Sequence, residues 1–452
     1  MLNTLYLPEI REMIATGDAD GLREFCTALH PARTAEFMEG LTPDEAWQVL
    51  SHTDEETRAE IFAFLHHEKQ IEIVETQPRE AIAELVAELP ADDRVDMLKA
   101  VDEAVVEEVL PLVPAEDRRD IQRLLNYPEG TAGSVMTTDY ASLSETLTVT
   151  QAMEELHRQS EDLETIYYLY IVDDNDQLRG LVTFRNMLSS IVRKPTTKLA
   201  DLMETEIVSV NVNDDQEEVA NRVARYDLLA IPVVDDERRL VGIITHDDVI
   251  DVVREEATED AHRSAAVDPL EVGYLSTSLL TLSWKRGIWL IVLFVGALLT
   301  AFALEQYEGH FDKLPWLVMF IPLVISSGGN TGSQSATLII TGMSTGDIKL
   351  RDWMRVVGRE LAMGVILGVG LGIIGFVAAI TMRGNATEAL VIPGTLLLVV
   401  MSGTLVGALL PLIFKKIGLD PALMSNPFVA GIIDILGIII YMAVANALLP
   451  GL

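Results

Sequence analysis

Asp434 sits inside the apolar run PFVAGIIDILGIII, seven residues past Pro427 and therefore about 10 Å along a helix. An ionised group at that depth in a membrane is expensive unless it faces water, a partner or a cation. No Lys or Arg lies inside the apolar segments to neutralise it. A second polar feature is SSGGNTGSQSAT, residues 326–337. Pro322, Gly328 and Gly329 predict an interrupted helix there, and Asn330 and Gln334, four apart, would share one face where helix resumes. Irregular backbone at membrane depth survives where it is buried in protein or lines a cavity, so the segment reads as a pore or binding site, with an interhelical polar clamp as the alternative. A third feature is the acidic run Asp247, Asp248, Asp251, Glu255, Glu256, Glu259 and Asp260. On a helix, Asp247, Asp251 and Glu255 share one face, and Glu256 and Asp260 another. Like charges at that spacing repel by a few tenths of a kcal/mol each. Divalent cations bridging this helix to other acidic surfaces would relieve the repulsion; general surface acidity is the alternative.

The elements that hold these residues follow from an uneven chain. Residues 277–452 carry 9 acidic and 10 basic residues, against 60 and 23 in residues 1–276. An acidic water-soluble half is therefore joined to a nearly uncharged apolar half. Five apolar stretches approach the ~20 residues needed to cross a bilayer, near 287–304, 314–340, 361–380, 390–414 and 427–449. Lys285 and Arg286, then Lys349, Arg351, Arg355 and Arg359, then Lys415 and Lys416 all fall on the side of the N-terminal half. By the positive-inside rule that side is cytoplasmic, and an odd number of spans puts the short tail outside. Gly364, Gly368 and Gly372, and Gly403 with Gly407, are spaced for close helix packing.

In the acidic half, YIVDDNDQLRGLVTFRNML (170–188) and PVVDDERRLVGIITHDDVI (232–250) repeat at an offset of 62. Each copy reads as strand, acidic turn, strand, then a helix capped by Thr183 or Thr245. Upstream, residues 1–127 lack strand alternation. LTPDE, LPADD and VPAED recur at multiples of 24 residues, each predicting a helix start with Pro in the first turn followed by acids, as in a small superhelix of stacked helices. His66 and His67 have no metal-ligand spacing.

The repeat resembles tandem cystathionine-β-synthase (CBS) domains, which implies an adenine-nucleotide site where the final strand meets a Thr-x-x-Asp helix start. Thr245 and Asp248 fit, with Arg185 as a further contact in the first copy, although Asn186 stands where that copy's acid is expected. Over its whole length the chain resembles the MgtE family of magnesium channels and transporters, through YPEGTAGSVMTT, EATED, GGNTGSQSATLII and DPALMSNPFVAGIIDILG. It departs from the usual motif at Thr341 and at Ala430–Gly431. The resemblance implies a multidomain membrane protein: an acidic α-helical superhelical N domain (1–127), an α/β CBS pair (135–200 and 201–254), a connecting plug helix with its linker (255–276) and a five-helix transmembrane pore domain (277–452). It implies a homodimer in a bacterial or archaeal-type plasma membrane. Mg2+ would be both cargo and regulator, with ATP as a ligand of the CBS pair. Asp434 would coordinate the ion in the pore, with Asn330 and Asn426 binding its water shell and Asp420 at the cytosolic mouth. Regulatory Mg2+ would engage Asp92, Asp214, Asp247, Asp251, Glu255, Glu256, Glu259 and Asp260, and closure would follow from cancelled repulsion.

Several classes are disfavoured. The lone Cys26 makes neither a disulfide nor a thiolate metal site, and the N-terminus does not read as a signal peptide. Net charge −36 repels nucleic acid. No phosphate loop, nucleophile–base pair or zinc motif suggests an enzyme. The competing functions are a broader Co2+/Mn2+ transporter or exporter, against which hard oxygen ligands argue, and a membrane-anchored nucleotide-responsive regulator, which would need neither Asp434 nor the polar second span.

Overall fold

The structure is a computed structural model and describes residues 5–159, 163–270 and 273–449. The chain divides into two compact units, Met1–Val253 and Arg254–Leu452.

The first unit begins with short helices, and from Ala19–Thr27 onward each packs on the helix two further along: Pro43–Leu50 (α1) on His67–Thr76, that helix on Ala91–Ala100 (α2), and α2 on Ala115–Leu124 (α3). The stack is the expected superhelix, around Ile10, Leu22, Met38, Leu50, Phe62, Ile73 and Ile82. Thr42 and Glu45 form a reciprocal capping box at α1, with Thr42 N–H donating to Glu45 Oε2 at 2.8 Å. The helix-start motif holds with one correction. Pro43 is in the first turn of α1, but Pro90 and Pro114 occupy the cap position before α2 and α3. Their extended ψ, 151° and 148°, turns the chain into each helix, and the acids behind them still face its positive end.

The CBS repeats each form a three-stranded sheet: Tyr140–Ser144 (β1), Thr165–Val172 (β2) and Leu178–Thr183 (β3), then Val210–Asn211 (β4), Ala230–Val234 (β5) and Leu240–Thr245 (β6). In both, the first pair is parallel and the second antiparallel. Gly180 opposes Ile171, and Gly242 opposes Val233, so the 62-residue offset is also the register. The two hairpin turns bond reciprocally: Leu178 N–H donates to Arg238 O (3.0 Å) and Leu240 N–H to Asp176 O (2.9 Å). Asp176 and Arg238, again 62 apart, both hold positive φ. Ala91, Val95 and Leu124 of the helical stack share a core with Val233, Ile244, Val249 and Val252 of the second repeat.

His246–Ser264 (α4) is continuous through the end of the second repeat and the acidic run. The second unit contains Leu279–Glu305 (α5), Trp316–Ser344 (α6), Trp353–Arg383 (α7), Val391–Lys416 (α8) and Asn426–Leu448 (α9). Among the described residues, four segments are long and apolar enough to cross a membrane: α5, α9, Leu350–Arg383 and Ala386–Lys416. The fifth long helix, α6, has 29 residues with a polar middle. The expected interruption is overturned, for α6 runs unbroken through SSGGNTGSQSAT. Its hydroxyls bond back along the helix, Ser327 to Leu323 O and Thr331 to Ser327 O, both at 2.7 Å. Its glycines serve close approach instead of breakage. A Cβ on Gly403 would stand 2.6 Å from Gly328 O, and one on Gly407 would overlap Gly332 O, so α8 meets α6 backbone to backbone. Gly364 and Gly368 do the same for α7, against Met401 and Leu397 of α8.

Candidate ion pathway and regulatory carboxylates

Gly329 sets the distance between α6 and α9. A Cβ there would lie 3.3 Å from Ala430 Cβ and 3.6 Å from Asp434 Oδ1, so the missing side chain leaves the Asp434 carboxylate beside the α6 backbone. Two further bonds stitch the seam toward the start of α9. Ser333 Oγ donates to Asn426 O at 3.0 Å, and Thr337 Oγ1 to Asn426 Oδ1 at 3.1 Å. Near the other end, Tyr441 OH donates to Leu317 O at 3.0 Å. Asn330 and Gln334 do share a face: with Ser326 and Thr337 they form an exposed stripe along α6, and Asn330 Nδ2 donates to Ser326 Oγ at 3.2 Å. A polar stripe open on a helix between apolar neighbours offers neutral oxygen and amide groups to a hydrated ion. Asp434 supplies the charge.

Asp420 caps the short turn before α9, accepting from Ala422 N–H at 2.7 Å. Arg263 of α4 forms ion pairs with both Asp420 and Glu259. The acidic helix therefore carries one of its own cationic partners, which the charge pattern alone did not reveal. Asp260, alongside, has its carboxyl pushed up to about 6 by burial, then by the Asp420 and Glu256 charges.

In the first unit the structure brings together Asp92 and Asp93, in the first turn of α2, with Asp248, in the first turn of α4, and Glu164, just before β2. Asp92 is half-buried. One of its carboxylate oxygens has no hydrogen-bond partner, and its pKa is raised well above the usual range by burial and then by Asp248. Burial and Asp248 also push Asp93 up to about 6 and Glu164 up to about 7. Both keep part of their side chains in solvent, which screens those charges in part. Asp247 and Asp251 add to the field at Asp93. Asp248 accepts from Thr245 N–H at 3.2 Å and from the Thr245 hydroxyl, so Thr245 and Asp248 fold into a helix cap while facing Asp92. Asp214 stands elsewhere: it pairs with Arg222 at 3.3 Å and accepts from Asn211 N–H at 3.1 Å. Arg185 is exposed, in the first turn of Phe184–Arg193. Among the described residues, no group of three His, Cys, Asp or Glu side chains is arranged as a closed metal cage. Pairs of carboxylates around a water-filled gap suit Mg2+ better, because it keeps several waters.

Three residues escaped the sequence reading. Asp93 and Glu164 lacked any local signal that they would meet Asp248. Glu360 lies just outside the apolar stretch 361–380, beside Arg355 and Arg359, and so reads from sequence as part of a charged loop, whereas α7 already starts at Trp353. Glu360 is consequently an acidic side chain inside a long apolar helix, as Asp434 is.

Residues 321–444 match the MgtE family, described as a divalent cation transporter. Residues 29–130 match the MgtE intracellular N domain, and residues 132–193 and 199–255 match CBS domains. The chain is 37% identical to the magnesium transporter MgtE of Thermus thermophilus over 443 residues, which cover 97% of this chain and 98% of the relative. It is 35% identical to the magnesium transporter MgtE of Bacillus subtilis over 332 residues, 74% of this chain and 72% of the relative. A crystal structure of the cytosolic domain of the Mg2+ channel MgtE in complex with ATP is 36% identical, with a TM-score of 0.51 over 54% of this chain and 98% of that one. The soluble part of a magnesium transporter is 32% identical, with a TM-score of 0.52 over 55% of this chain and 97% of that one.

Proposed function

Because the chain belongs to the MgtE family of divalent cation transporters, we propose that it is a Mg2+ channel or transporter that admits the ion along α6 and α9 and is closed by Mg2+ bound among its cytosolic carboxylates. The observation that carries this reading is the Asp434 carboxylate lying beside Gly329 of α6, next in sequence to Asn330 of the exposed polar stripe. Mg2+ gives up its waters reluctantly, so a path of neutral oxygens with one carboxylate per chain accommodates the hydrated ion and releases it again. The stripe is open on one side, and a second copy related by a two-fold axis would close it and bring a second Asp434 to the same ion. In this arrangement α6 crosses the bilayer with its polar face inward, as the fifth span. Lys285 and Arg286 at the start of α5, Lys349, Arg351, Arg355 and Arg359 between α6 and the first turns of α7, and Lys415 and Lys416 at the end of α8 lie on the cytoplasmic side of the plasma membrane with the N-terminal domains, and the tail of α9 lies outside.

Closure uses the carboxylates of the first unit and of α4. Asp92, Asp93, Asp248 and Glu164 repel one another without a cation, and Mg2+ between them favours the compact form. The acids further along α4, with Asp420, extend the same logic toward the pore domain. Hard carboxylate and amide oxygens favour Mg2+ over softer ions such as Co2+. For ATP, the complex of the related cytosolic domain supports binding in the CBS pair, with Thr245 and Asp248 as the residues of the second copy. Asp248 already faces Asp92, so ribose hydroxyls and the acidic contact compete for one carboxylate.

Mg2+ uptake into proteoliposomes tests the proposal. The wild type should admit Mg2+ and Asp434→Asn should not, while both elute as folded protein; normal flux through folded Asp434→Asn would remove Asp434 from the pathway.

A further inference from the structure

Glu360 lies seven residues into α7, at the point where three helices meet. Ser335, 5% exposed in the middle of α6, donates its hydroxyl to Glu360 Oε2 at 2.6 Å. Thr404 of α8, 1% exposed, donates to the backbone carbonyl of Glu360 at 3.1 Å and shares that proton with Met401 O at 3.0 Å. One turn further along α7, a Cβ on Gly364 would stand 2.8 Å from Thr404 Oγ1 and 2.9 Å from Met401 Cα, so α7 cannot slide along α8 at this level without a clash.

Ser335 and Thr337 are two residues apart on α6 and so point to nearly opposite sides of the helix. Thr337 bonds to Asn426 on the α9 side, while Ser335 bonds to Glu360 on the α7 side. Between them these bonds set how far α6 is turned about its own axis, and hence where Asn330 and Gln334 point. A hydrogen bond to a carboxylate is about twice as strong as one between neutral groups.

We propose that Glu360 is a positioning residue for ion conduction: through Ser335 it holds the polar stripe of α6 toward the ion path. The inference rests on the reading of α6 as a pore helix. Glu360 touches the back of that helix and does not need to touch the ion.

The test is Mg2+ flux by the full-length protein in liposomes, normalised to folded channel, with Asp434→Asn as the control for the pore reading. Glu360→Ala should lower maximal flux about tenfold, the factor corresponding to loss of one charge-assisted hydrogen bond, with the half-saturating Mg2+ concentration moved less than about twofold. Ser335→Ala should fall in the same direction, and the double variant should be no worse than Glu360→Ala, since both remove one bond. Glu360→Gln keeps an oxygen acceptor for Ser335 and should restore flux to within about twofold of wild type. A merely structural role would change the yield of folded protein but not the flux per folded channel. Should Glu360→Ala fail to fold, Ser335→Ala and Glu360→Gln still decide the matter. The proposal is overturned by unchanged flux in Ser335→Ala, by losses that add in the double variant, or by Glu360→Gln as impaired as Glu360→Ala, which would make charge rather than positioning the requirement. Normal flux through Asp434→Asn would instead remove the pore reading itself.

Discussion

Around Asp92, acidic side chains crowd together with raised pKa values and one carboxylate oxygen left without a partner, whereas Asp434 stands beside Gly329 as the single charged residue of α9. The first arrangement stores repulsion that a cation can relieve, and it can afford to hold that cation for as long as its concentration stays high. A pathway must do the reverse, since an ion bound by many charges would not leave. On the proposed function, charge density separates the sensing role from the conducting one.

The largest effect expected to break this comparison is at Asp434. Asp434→Asn should reduce Mg2+ flux about 100-fold or more while leaving Mg2+-induced protection of the first unit from protease unchanged, because the charge removed is the one embedded in α9. If protease protection vanished with flux, the two regions would not be separable. A different stress on the pore side is Gly407→Val, which puts a branched side chain where the Gly332 carbonyl already lies. Forcing α6 and α8 apart should cost about 1–3 kcal/mol or more, read as a lower melting temperature of the detergent-solubilised protein, whereas Gly287→Val on open α5 should be near neutral.

The sensing side is sharpened by replacing Asp92 and Asp93 together with Asn. Internal Mg2+ should then inhibit flux only at several-fold higher concentration, and the metal-free protein should resist protease as the Mg2+-bound wild type does, since repulsion is gone without the ion. Inhibition at the wild-type concentration would place the sensor elsewhere. The same groups set a pH dependence. Asp93 and Glu164 are raised to about 6 and about 7 in the folded protein, so the metal-free packing of α2 against the start of α4 has its full stability below the ordinary carboxylate range, about pH 4. That stability is lost as pH rises through the raised values. Protection of the α2 amides, expressed relative to their intrinsic base-catalysed exchange rate at each pH, should therefore fall between about pH 6 and 8 without Mg2+, and Mg2+ should suppress the fall; pH-independent protection would mean the carboxylates never feel one another. The smallest effect is a control far from both sites. Thr42→Ala opens the capping box of α1 and should cost about 1 kcal/mol of stability, with Mg2+ inhibition unaltered.

Much of the architecture was legible because its signals are local or periodic. The 62-residue offset became the strand register itself, Gly180 against Ile171 and Gly242 against Val233. The apolar stretches became α5 to α9, with ends shifted by several residues where helices run on past their apolar parts, most of all at α7. That shift concealed Glu360. Arg263 is a different case: it was visible on the acidic helix, but its pairing with Asp420 joins residues 157 positions apart, and no spacing rule reaches across such a distance.

By itself, the sequence determined that an acidic half is joined to an apolar half, that the repeats pair, and that Asp434 is embedded in an apolar run where a carboxylate must serve an ion or a partner, because hydropathy and charge act over a few residues at a time. Only the tertiary structure decided that α6 is unbroken, that its Asn330 side is open while Ser335 is gripped from behind, and that Asp92 meets Asp248. The physical reason is the same in each instance. A glycine can loosen a helix or admit a neighbouring backbone, and a carboxylate can be solvated or confronted by another; which of these happens depends on what the fold brings alongside, here Gly403 and Gly407 for the glycines of α6 and the first turn of α4 for Asp92.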